Sequence, residues 1–300
     1  MSSKFVALVR TQLAVEKIRI STQIRVSHLK RCNEKDPDTE EALRRLIDLE
    51  SWVDGRVGQL LKDHPAYYWF HRIKGIGQEN IAKVVGMVRV APETKDDGTE
   101  LPYADTVSAL WRFAGMSVED GKAPKRKEGQ TQIYNARLRT MVWRLSTSLL
   151  KAGLRKKCSI CGEVLGETRI KTHKCKDAVF NEAAISKFGG YYLDQKARYY
   201  DRYKREGIAV VPTSALPKKD GKYYEPPGMI SEGHVHNQAQ RKMAKMFLAL
   251  LYVAWREGIG LEVRSPYVQE YLGHTHIYKP ADFIDRGSKL VKPKSSKRSG

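Results

Sequence analysis

Two long stretches of apolar residues at helical spacing restrict the folds that this chain can adopt. Apolar side chains recur every three or four positions from about residue 4 to residue 31, and again from about residue 38 to residue 60. The polar segment "NEKDPD" separates the two stretches, and Asp38 with Glu41 fits a capping box at the start of the second. We therefore predict an antiparallel helical hairpin over residues 1–65, which either packs on the rest of the chain or mediates a homodimer.

The remaining sequence continues the helical periodicity and leaves room only for short strands. Helical patterns include "YADTVSALWRFAGM", "QIYNARLRTMVWRLSTSLLKAG", "YYLDQKARYYDRYKREG" and "NQAQRKMAKMFLALLYVAWREG". The predicted fold class is mainly α: a helical hairpin plus a helix-hairpin-helix domain with an inserted zinc knuckle. The predicted segments after the hairpin are a helix-hairpin-helix domain at 66–153, a zinc-knuckle insert at 154–180, a helical region at 181–285 and a basic, disordered tail at 286–300.

The charge balance of the chain is strongly basic. Its 300 residues include 54 Lys and Arg against 34 Asp and Glu, a formal net charge of +20. Such an excess indicates a polyanionic partner, with nucleic acid favoured over an anionic membrane surface. The longest apolar run, residues 246–255, is too short to span a bilayer, and charges interrupt the N-terminal segment where a signal peptide needs an apolar core. We expect an intracellular protein, in the cytoplasm or nucleoid, with no membrane partner.

The segment "RIKGIGQENIAKVVG" is typical of a helix-hairpin-helix turn. Its two glycines permit a tight turn with positive φ and expose backbone N–H groups beside the start of the next helix. A helix N-terminus is a partly positive site where a phosphate of DNA can bind without any base being recognised. The alternative is a purely structural turn between two packed helices. The residues predicted to contact nucleic acid here are Lys74, Gly75, Ile76, Gly77 and Gln78.

A second group of candidate nucleic-acid contacts follows in the basic, glycine-containing loop "SVEDGKAPKRKEGQT". This loop contributes Lys122, Lys125, Arg126 and Lys127. The motifs follow one another in a fixed order: the glycine turn, "ALWRFAGM", this loop and "IYNARLRTMVWRLSTSL". This order resembles the C-terminal domain of DEDD-type insertion-sequence transposases of the Piv/MooV group. The resemblance covers roughly residues 40–155 and 230–260, and it adds Arg137 and Arg139 of the "RLR" segment to the candidate contacts.

The resemblance implies nucleic-acid handling in DNA transposition or recombination, on duplex or junction DNA. This chain departs from the family in two ways that argue against strand cleavage. The stretch before the glycine turn is too short and too helical for the family's RuvC-like domain. The family's Ser-Gly pair is replaced by Asp120-Gly121, with Ser117 nearby. We predict a DNA-binding protein that does not cleave strands on its own. The alternatives are an active transposase or recombinase with an unrecognised nucleophile, and a structured-RNA-binding protein.

The segment "CSICGEVLGETRIKTHKC" predicts a metal site. Cys158, Cys161, His173 and Cys175 are separated by two, eleven and one residues, a spacing that suits a tetrahedral Zn²⁺ site of three thiolates and one imidazole. Basic residues surround it, so the knuckle is also expected to touch phosphate.

Weaker patterns leave alternatives open. The pairs His234/His236 and His274/His276 could bind a second metal, although isolated loop histidines are the commoner explanation. The tyrosines of "YYLDQKARYYDRY" could stack on unpaired bases, although helical spacing of this kind more often reflects core packing.

Overall fold

The computed structural model describes residues 3–94, 97–118, 121–125, 128–129, 131–263 and 278–287. These residues form a mainly helical protein with a few small sheets. The helices are α1 (Ser3–Arg31), α2 (Pro37–Leu61), α3 (Tyr67–Phe70), α4 (Gln78–Val85), α5 (Val107–Phe113), α6 (Ala136–Gly153), α7 (Glu167–Ile170), α8 (Lys187–Arg205) and α9 (Glu232–Gly258). The strands are β1 (Glu93–Thr94), β2 (Glu100–Leu101), β3 (Leu154–Cys158), β4 (Val164–Leu165), β5 (Phe180–Ala184), β6 (Ala209–Val211), β7 (Lys218–Lys219), β8 (Lys222–Tyr223) and β9 (Met229–Ser231).

Helices α1 and α2 form the predicted antiparallel hairpin. The N-cap of α2 is Asp36, whose carboxylate accepts from Thr39 N–H, and Pro37 occupies the first turn. The prediction of a capping box at Asp38 was therefore wrong, because the proline starts the helix two residues earlier. Between the helices, Arg19 Nε lies 2.6 Å from Glu50 Oε2.

The open end of the hairpin packs on the rest of the chain. Phe5 and Val9 of α1 and Val57 and Leu61 of α2 belong to the same apolar core as α4, α6 and α9. The loop end of the hairpin instead leaves apolar side chains in solvent: Ile18, Ile24, Ile47, Leu49 and Trp52. The structure thus shows the hairpin packing on the body of the protein, and dimerisation through it remains a prediction.

Helix α9 runs through the centre of the body. It packs against α5, α6 and α8, and one of its faces is fully buried because apolar residues recur there at helical spacing. The buried core of α9 includes Val235, Met243, Phe247, Leu251 and Trp255. Helix α6 lies between α4, α8 and α9, and begins at Ala136 with Asn135 as its N-cap. The core is continuous across the predicted boundaries of the hairpin, the central segment and the C-terminal region.

The strands form small sheets at the edge of the helical body. β4, β3 and β5 make a three-stranded antiparallel sheet that follows α6 directly, while β6 and β9 pair in parallel beside α8 and α9. β1 pairs with β2, and β7 pairs with β8 in a short hairpin whose turn residues Asp220 and Gly221 both have positive φ. Within the described residues, no helix has both the length and the apolar character needed to cross a membrane.

Candidate metal centre and nucleic-acid interface

The predicted metal ligands lie at the end of β3 and in the segments that connect the strands of the sheet β4–β3–β5. Cys158 ends β3, and its N–H donates to the carbonyl of Glu163 (2.9 Å) while its own carbonyl accepts from Gly162 N–H (3.1 Å). Gly162 has a φ of 74°, which side chains rarely adopt and glycine adopts freely. The chain therefore reverses tightly after Cys158, so that Cys161 returns to its vicinity.

The structure brings all four predicted ligands together. We call this group the Cys3His cluster: Cys158, Cys161, His173 and Cys175. Their ligand atoms all lie within 4.8 Å of one another, and Cys161 Sγ lies 3.4 Å from His173 Nε2. Three sulfurs and one imidazole supply four ligands, which is the closed donor set of structural rather than catalytic metal sites. The cluster could hold a metal ion, and its donor chemistry fits Zn²⁺.

A carboxylate supports the imidazole from the other side. His173 Nδ1 lies 3.6 Å from Glu163 Oε2, while Nε2 faces the sulfurs. A histidine that binds a metal through one nitrogen commonly has a carboxylate at the other, which fixes the ring orientation and its basicity. Arg169 in turn lies 3.4 Å from Glu163 Oε1. Sequence spacing alone did not single out Glu163 as part of this arrangement.

The thiols of the cluster differ in their acidity. Hydrogen bonds from backbone N–H groups, above all that of Cys161, lower the pKa of Cys158 to about 6. Burial, followed by hydrogen bonds to the neighbouring thiols, raises the pKa of Cys175 to about 11. Since thiolates are the metal-binding form, binding to the whole cluster must release protons.

The glycine turn between α3 and α4 has a packing role that the sequence did not reveal. Gly75 has a φ of 92°, and a Cβ there would lie 2.8 Å from the carbonyl oxygen of Ser148 on α6. Gly77, the N-cap of α4, has open space where its Cβ would be. The N–H of Lys74 already donates to the carboxylate of Asp285 (2.7 Å). A side chain at Gly75 would therefore disturb the fold, whereas Gly77 is accessible.

A large cavity lies where α6, α8 and α9 meet the loop that precedes α6. We call it the basic groove, and its volume is about 930 Å³. Its described lining consists of Val118, Gly121, Lys122, Ala123, Lys125, Arg139, Thr140, Trp143, Arg144, Tyr199, Arg202, His234, Asn237, Gln238, Arg241, Lys242 and Lys245. Eight of these are lysine or arginine and none is acidic. Glu119, Asp120, Arg126 and Lys127 lie outside the described residues.

Only some of the cationic side chains of the groove pair with a carboxylate among the described residues. Arg144 Nη1 lies 3.1 Å from Glu16 Oε1, and Arg202 Nε lies 2.8 Å from Glu206 Oε1. Neither carboxylate lines the cavity. The lysines form no ion pair with any carboxylate that the structure describes: Lys122, Lys125, Lys242 and Lys245. The groove thus concentrates positive charge whose natural complement is an anion with several charges.

Two arginines build the wall of the groove. Arg241 Nη2 donates to the carbonyls of Gly115 (3.2 Å) and Ser117 (2.8 Å), and Arg139 Nη1 donates to the carbonyl of Pro124 (2.7 Å). These bonds fix both ends of the loop against α6 and α9. The hydroxyl of Ser117 itself is buried and has no hydrogen-bond partner among the described residues.

Burial perturbs the lysine at the inner end of the groove. Desolvation, and after it the charges of Lys242 and Arg241, lower the pKa of Lys245 to about 8. Its ammonium lies 4.1 Å from the ring centroid of Trp111, a cation–π contact that holds it in place. A lysine kept among cations in a partly dry site is stabilised when an anion binds beside it.

A buried ion pair connects the groove with the hairpin. Glu16 of α1 contacts Lys83 Nζ of α4 at 3.0 Å as well as Arg144 of α6. Burial alone would raise the pKa of Glu16, but the hydrogen bonds and charges of Lys83 and Arg144 outweigh it and leave that pKa below its usual value. The cationic groove wall therefore depends on a residue far away in sequence.

The groove contains only part of the predicted nucleic-acid interface. Lys122, Lys125 and Arg139 line it, whereas Arg137 lies exposed on another part of α6. The glycine-turn residues do not line it either, and Arg126 and Lys127 lie outside the described residues. Sequence reasoning missed the contribution of α9, whose groove residues recur every three or four positions: His234, Asn237, Gln238, Arg241, Lys242 and Lys245. That periodicity on one polar helix face was the available signal.

Among the described residues, His234 and His236 belong to no group of three or more potential metal ligands. His234 and His236 lie in the first turns of α9 rather than in a loop, because α9 begins five residues before the predicted "NQAQ" start. His234 Nδ1 lies 2.7 Å from Glu225 Oε2, and His236 Nδ1 lies 2.7 Å from the hydroxyl of Tyr192. The Cys3His cluster is the one group of three or more potential ligands among the described residues. His274 and His276 fall outside them.

Comparison of this chain with protein-family models, with curated proteins and with solved structures finds no match. The likeness to transposases therefore rests on the sequence motifs alone, and the chemistry of the metal cluster and of the groove carries the functional argument.

Proposed function

We propose that this chain is a nucleic-acid-binding protein that holds the phosphate backbone in the basic groove. The observation that carries the proposal is the convergence of eight cationic side chains from three helices and one loop on a single cavity whose described lining has no acidic residue. Phosphate oxygens bind lysine and arginine without reading sequence, and several such contacts together give strong, salt-dependent affinity.

Action on DNA in transposition or recombination is the specific form of this proposal. The residues of α6 and α9 that line the groove fall within the two sequence stretches, roughly 40–155 and 230–260, that resemble the transposase domain. Binding of structured RNA is the alternative, because cations and aromatic rings serve both polymers. We further propose that the α3–α4 turn is a helix-hairpin-helix contact, supported by the positive φ of Gly75 and the accessible N-cap Gly77.

We also propose that the Cys3His cluster binds one Zn²⁺ ion. Zinc prefers thiolate and imidazole ligands in tetrahedral geometry, and all four ligand atoms lie within 4.8 Å of one another. The ion would hold the insert together, since a closed four-ligand site leaves no position for substrate.

Salt-dependent DNA binding tests the function of the groove. Wild-type affinity for a labelled DNA duplex, measured by fluorescence anisotropy, is expected to fall about a hundredfold between 50 and 200 mM salt if about four phosphates are neutralised. The double variant Lys242→Ala/Lys245→Ala should weaken binding by about tenfold or more and reduce the log–log salt slope by about 2. The matched control, Lys17→Ala/Arg25→Ala on the exposed surface of α1, removes the same charge outside the groove.

The outcomes separate the groove from general electrostatics. Affinity independent of salt, or an equal loss in both double variants, would reject the groove as the binding site. Competition with structured RNA of equal length shows which polymer the protein prefers. Nicking of supercoiled plasmid with Mg²⁺ that disappears in Ser117→Ala would identify an active recombinase instead.

A further inference from the structure

We propose that the basic groove takes an unpaired polynucleotide strand, with bases stacked on Trp143 and Tyr199. This inference rests on the proposed nucleic-acid function of the groove and specifies its ligand. It starts from the two aromatic side chains that line the cavity among its cations. Both are half-buried, one on α6 and one on α8, so that part of each ring remains accessible. Tyr199 also packs against the main apolar core.

Aromatic rings in a phosphate-binding groove distinguish paired from unpaired nucleic acid. In a duplex the faces of the bases are covered by their neighbours, and only base edges are presented in the grooves. An unpaired strand exposes base faces, which stack on aromatic side chains and make a large contribution to binding. The ring of Tyr199 is already nearly parallel to that of Tyr203, with centroids 6.4 Å apart and planes at 22°. A base would extend this stack.

The shape of the groove also suits a short strand. The groove face of α9 extends from His234 to Lys245, which corresponds to about 16 Å along the helix axis. This length is about half a turn of B-form DNA, whose repeat is roughly 34 Å. A cavity of about 930 Å³ is large enough to hold a few nucleotides of one strand.

Polar groups complete the chemistry that a base requires. Asn237 and Gln238 of α9 line the same cavity, and the amide oxygen of Gln238 accepts from the hydroxyl of Tyr203 (2.9 Å). That bond leaves the amide N–H groups of Gln238 to donate to base edges. Lysines for the phosphates, rings for the base faces and amides for the base edges therefore occur in one groove.

Three labelled ligands of nearly equal phosphate number test the inference by fluorescence anisotropy: a dT12 strand, a 12-residue abasic strand and a six-base-pair G·C duplex closed by a neutral linker. Wild-type protein should bind dT12 about tenfold or more tightly than the abasic strand, because only dT12 can stack. It should also prefer dT12 to the duplex. An rU12 strand in parallel identifies which sugar the groove prefers.

Variants assign the difference to the rings. Trp143→Leu and Tyr199→Leu should each reduce the preference for dT12 over the abasic strand and leave affinity for the abasic strand within about twofold, because no cation is removed. Trp143→Phe should retain most of the preference. Trp52→Leu, on the exposed side of α2, is the matched control and should bind as wild type does.

Equal affinity of wild-type protein for dT12 and the abasic strand, or tighter binding of the duplex, would overturn the inference and leave the proposed function intact. These comparisons use unmodified protein and so do not depend on the folding of any variant. Failure of every ligand to bind at low salt would instead reject the proposed function itself.

Discussion

The Cys3His cluster and the basic groove are built from the sequence in opposite ways. All candidate ligands of the cluster lie between Cys158 and Cys175, at the end of one strand of a small sheet and in the segments that connect its strands. The groove draws on four separate segments, the loop around 118–125, α6, α8 and α9, which meet only when the helical body is packed. The arrangement of the cluster is therefore determined by residues close together in sequence, whereas the groove forms only in the tertiary structure.

Because of this difference, the two regions should tolerate different perturbations. The insert has few buried apolar residues of its own, namely Cys158 and Leu165, so the proposed metal ion would supply much of its stability. The groove does not depend on a bound ion for its shape. Its walls are formed by α6, α8 and α9, whose buried residues belong to the main core. The two regions should therefore fail independently.

Removal of the metal should have the largest effect. We expect Cys158→Ser to lose zinc and to lose protection from hydrogen exchange across β3, β4 and β5, because structural zinc contributes roughly 10 kcal/mol of apparent binding free energy. Elemental analysis and exchange mass spectrometry measure both results. Cys32→Ser, at an exposed cysteine outside the cluster, is the control and should retain one zinc per chain.

Nucleic-acid affinity of the same variant shows whether the two regions are independent. No residue of the insert appears in the described lining of the groove, so Cys158→Ser should bind within about threefold of wild type. A much greater loss would mean that the basic residues around the cluster and the groove form one interface.

The second largest effect should come from Glu16, the contact between the hairpin and the groove wall. Glu16→Gln leaves the ammonium of Lys83, which is only 4% exposed, without a counter-charge, and should cost about 3 kcal/mol of unfolding free energy. Urea denaturation measures this cost. The control Glu41→Gln breaks exposed pairs with Arg44 and Arg45 and should cost much less stability than Glu16→Gln, because water screens such pairs.

The pH dependence of stability provides a second readout for Glu16. Because its pKa in the folded protein lies below its usual value, the carboxylate stabilises the fold at pH values above the usual pKa of a glutamate. This contribution is lost as the pH falls through the lowered pKa. The stability difference between wild type and Glu16→Gln should therefore shrink on acidification, and a constant difference would show that Glu16 acts through packing alone.

The comparison also explains how much could be predicted from the sequence. The clustering of the four candidate metal ligands and the long helices were predictable, because ligand spacing and apolar periodicity are local signals. The groove was found only in part: Lys122 and Lys125 were chosen for their charge, but nothing in the sequence placed Arg241 or Lys245 beside them. The packing requirement for glycine at position 75 could not be predicted either, because a Cβ there would contact the backbone of α6, which is distant in sequence.

The smallest effect should be the pH dependence of binding that Lys245 confers. Since its pKa is lowered to about 8 by burial and by Lys242 and Arg241, it is charged at pH 7 and largely neutral at pH 9. A bound phosphate would favour the charged form, so binding above pH 8 must take up a proton and affinity must fall as pH rises. Losing one phosphate contact weakens binding about fivefold near physiological salt.

Two arginine variants isolate this contribution. Lys245→Arg keeps its charge at pH 9, so the decline in affinity between pH 7 and 9 should flatten in that variant. Lys242→Arg makes the same substitution one turn earlier on α9 and should retain the decline, because the group with the lowered pKa is still present. Anisotropy titrations with dT12 at fixed ionic strength measure both. A decline of equal size in both variants would show that another group in the groove controls the pH response.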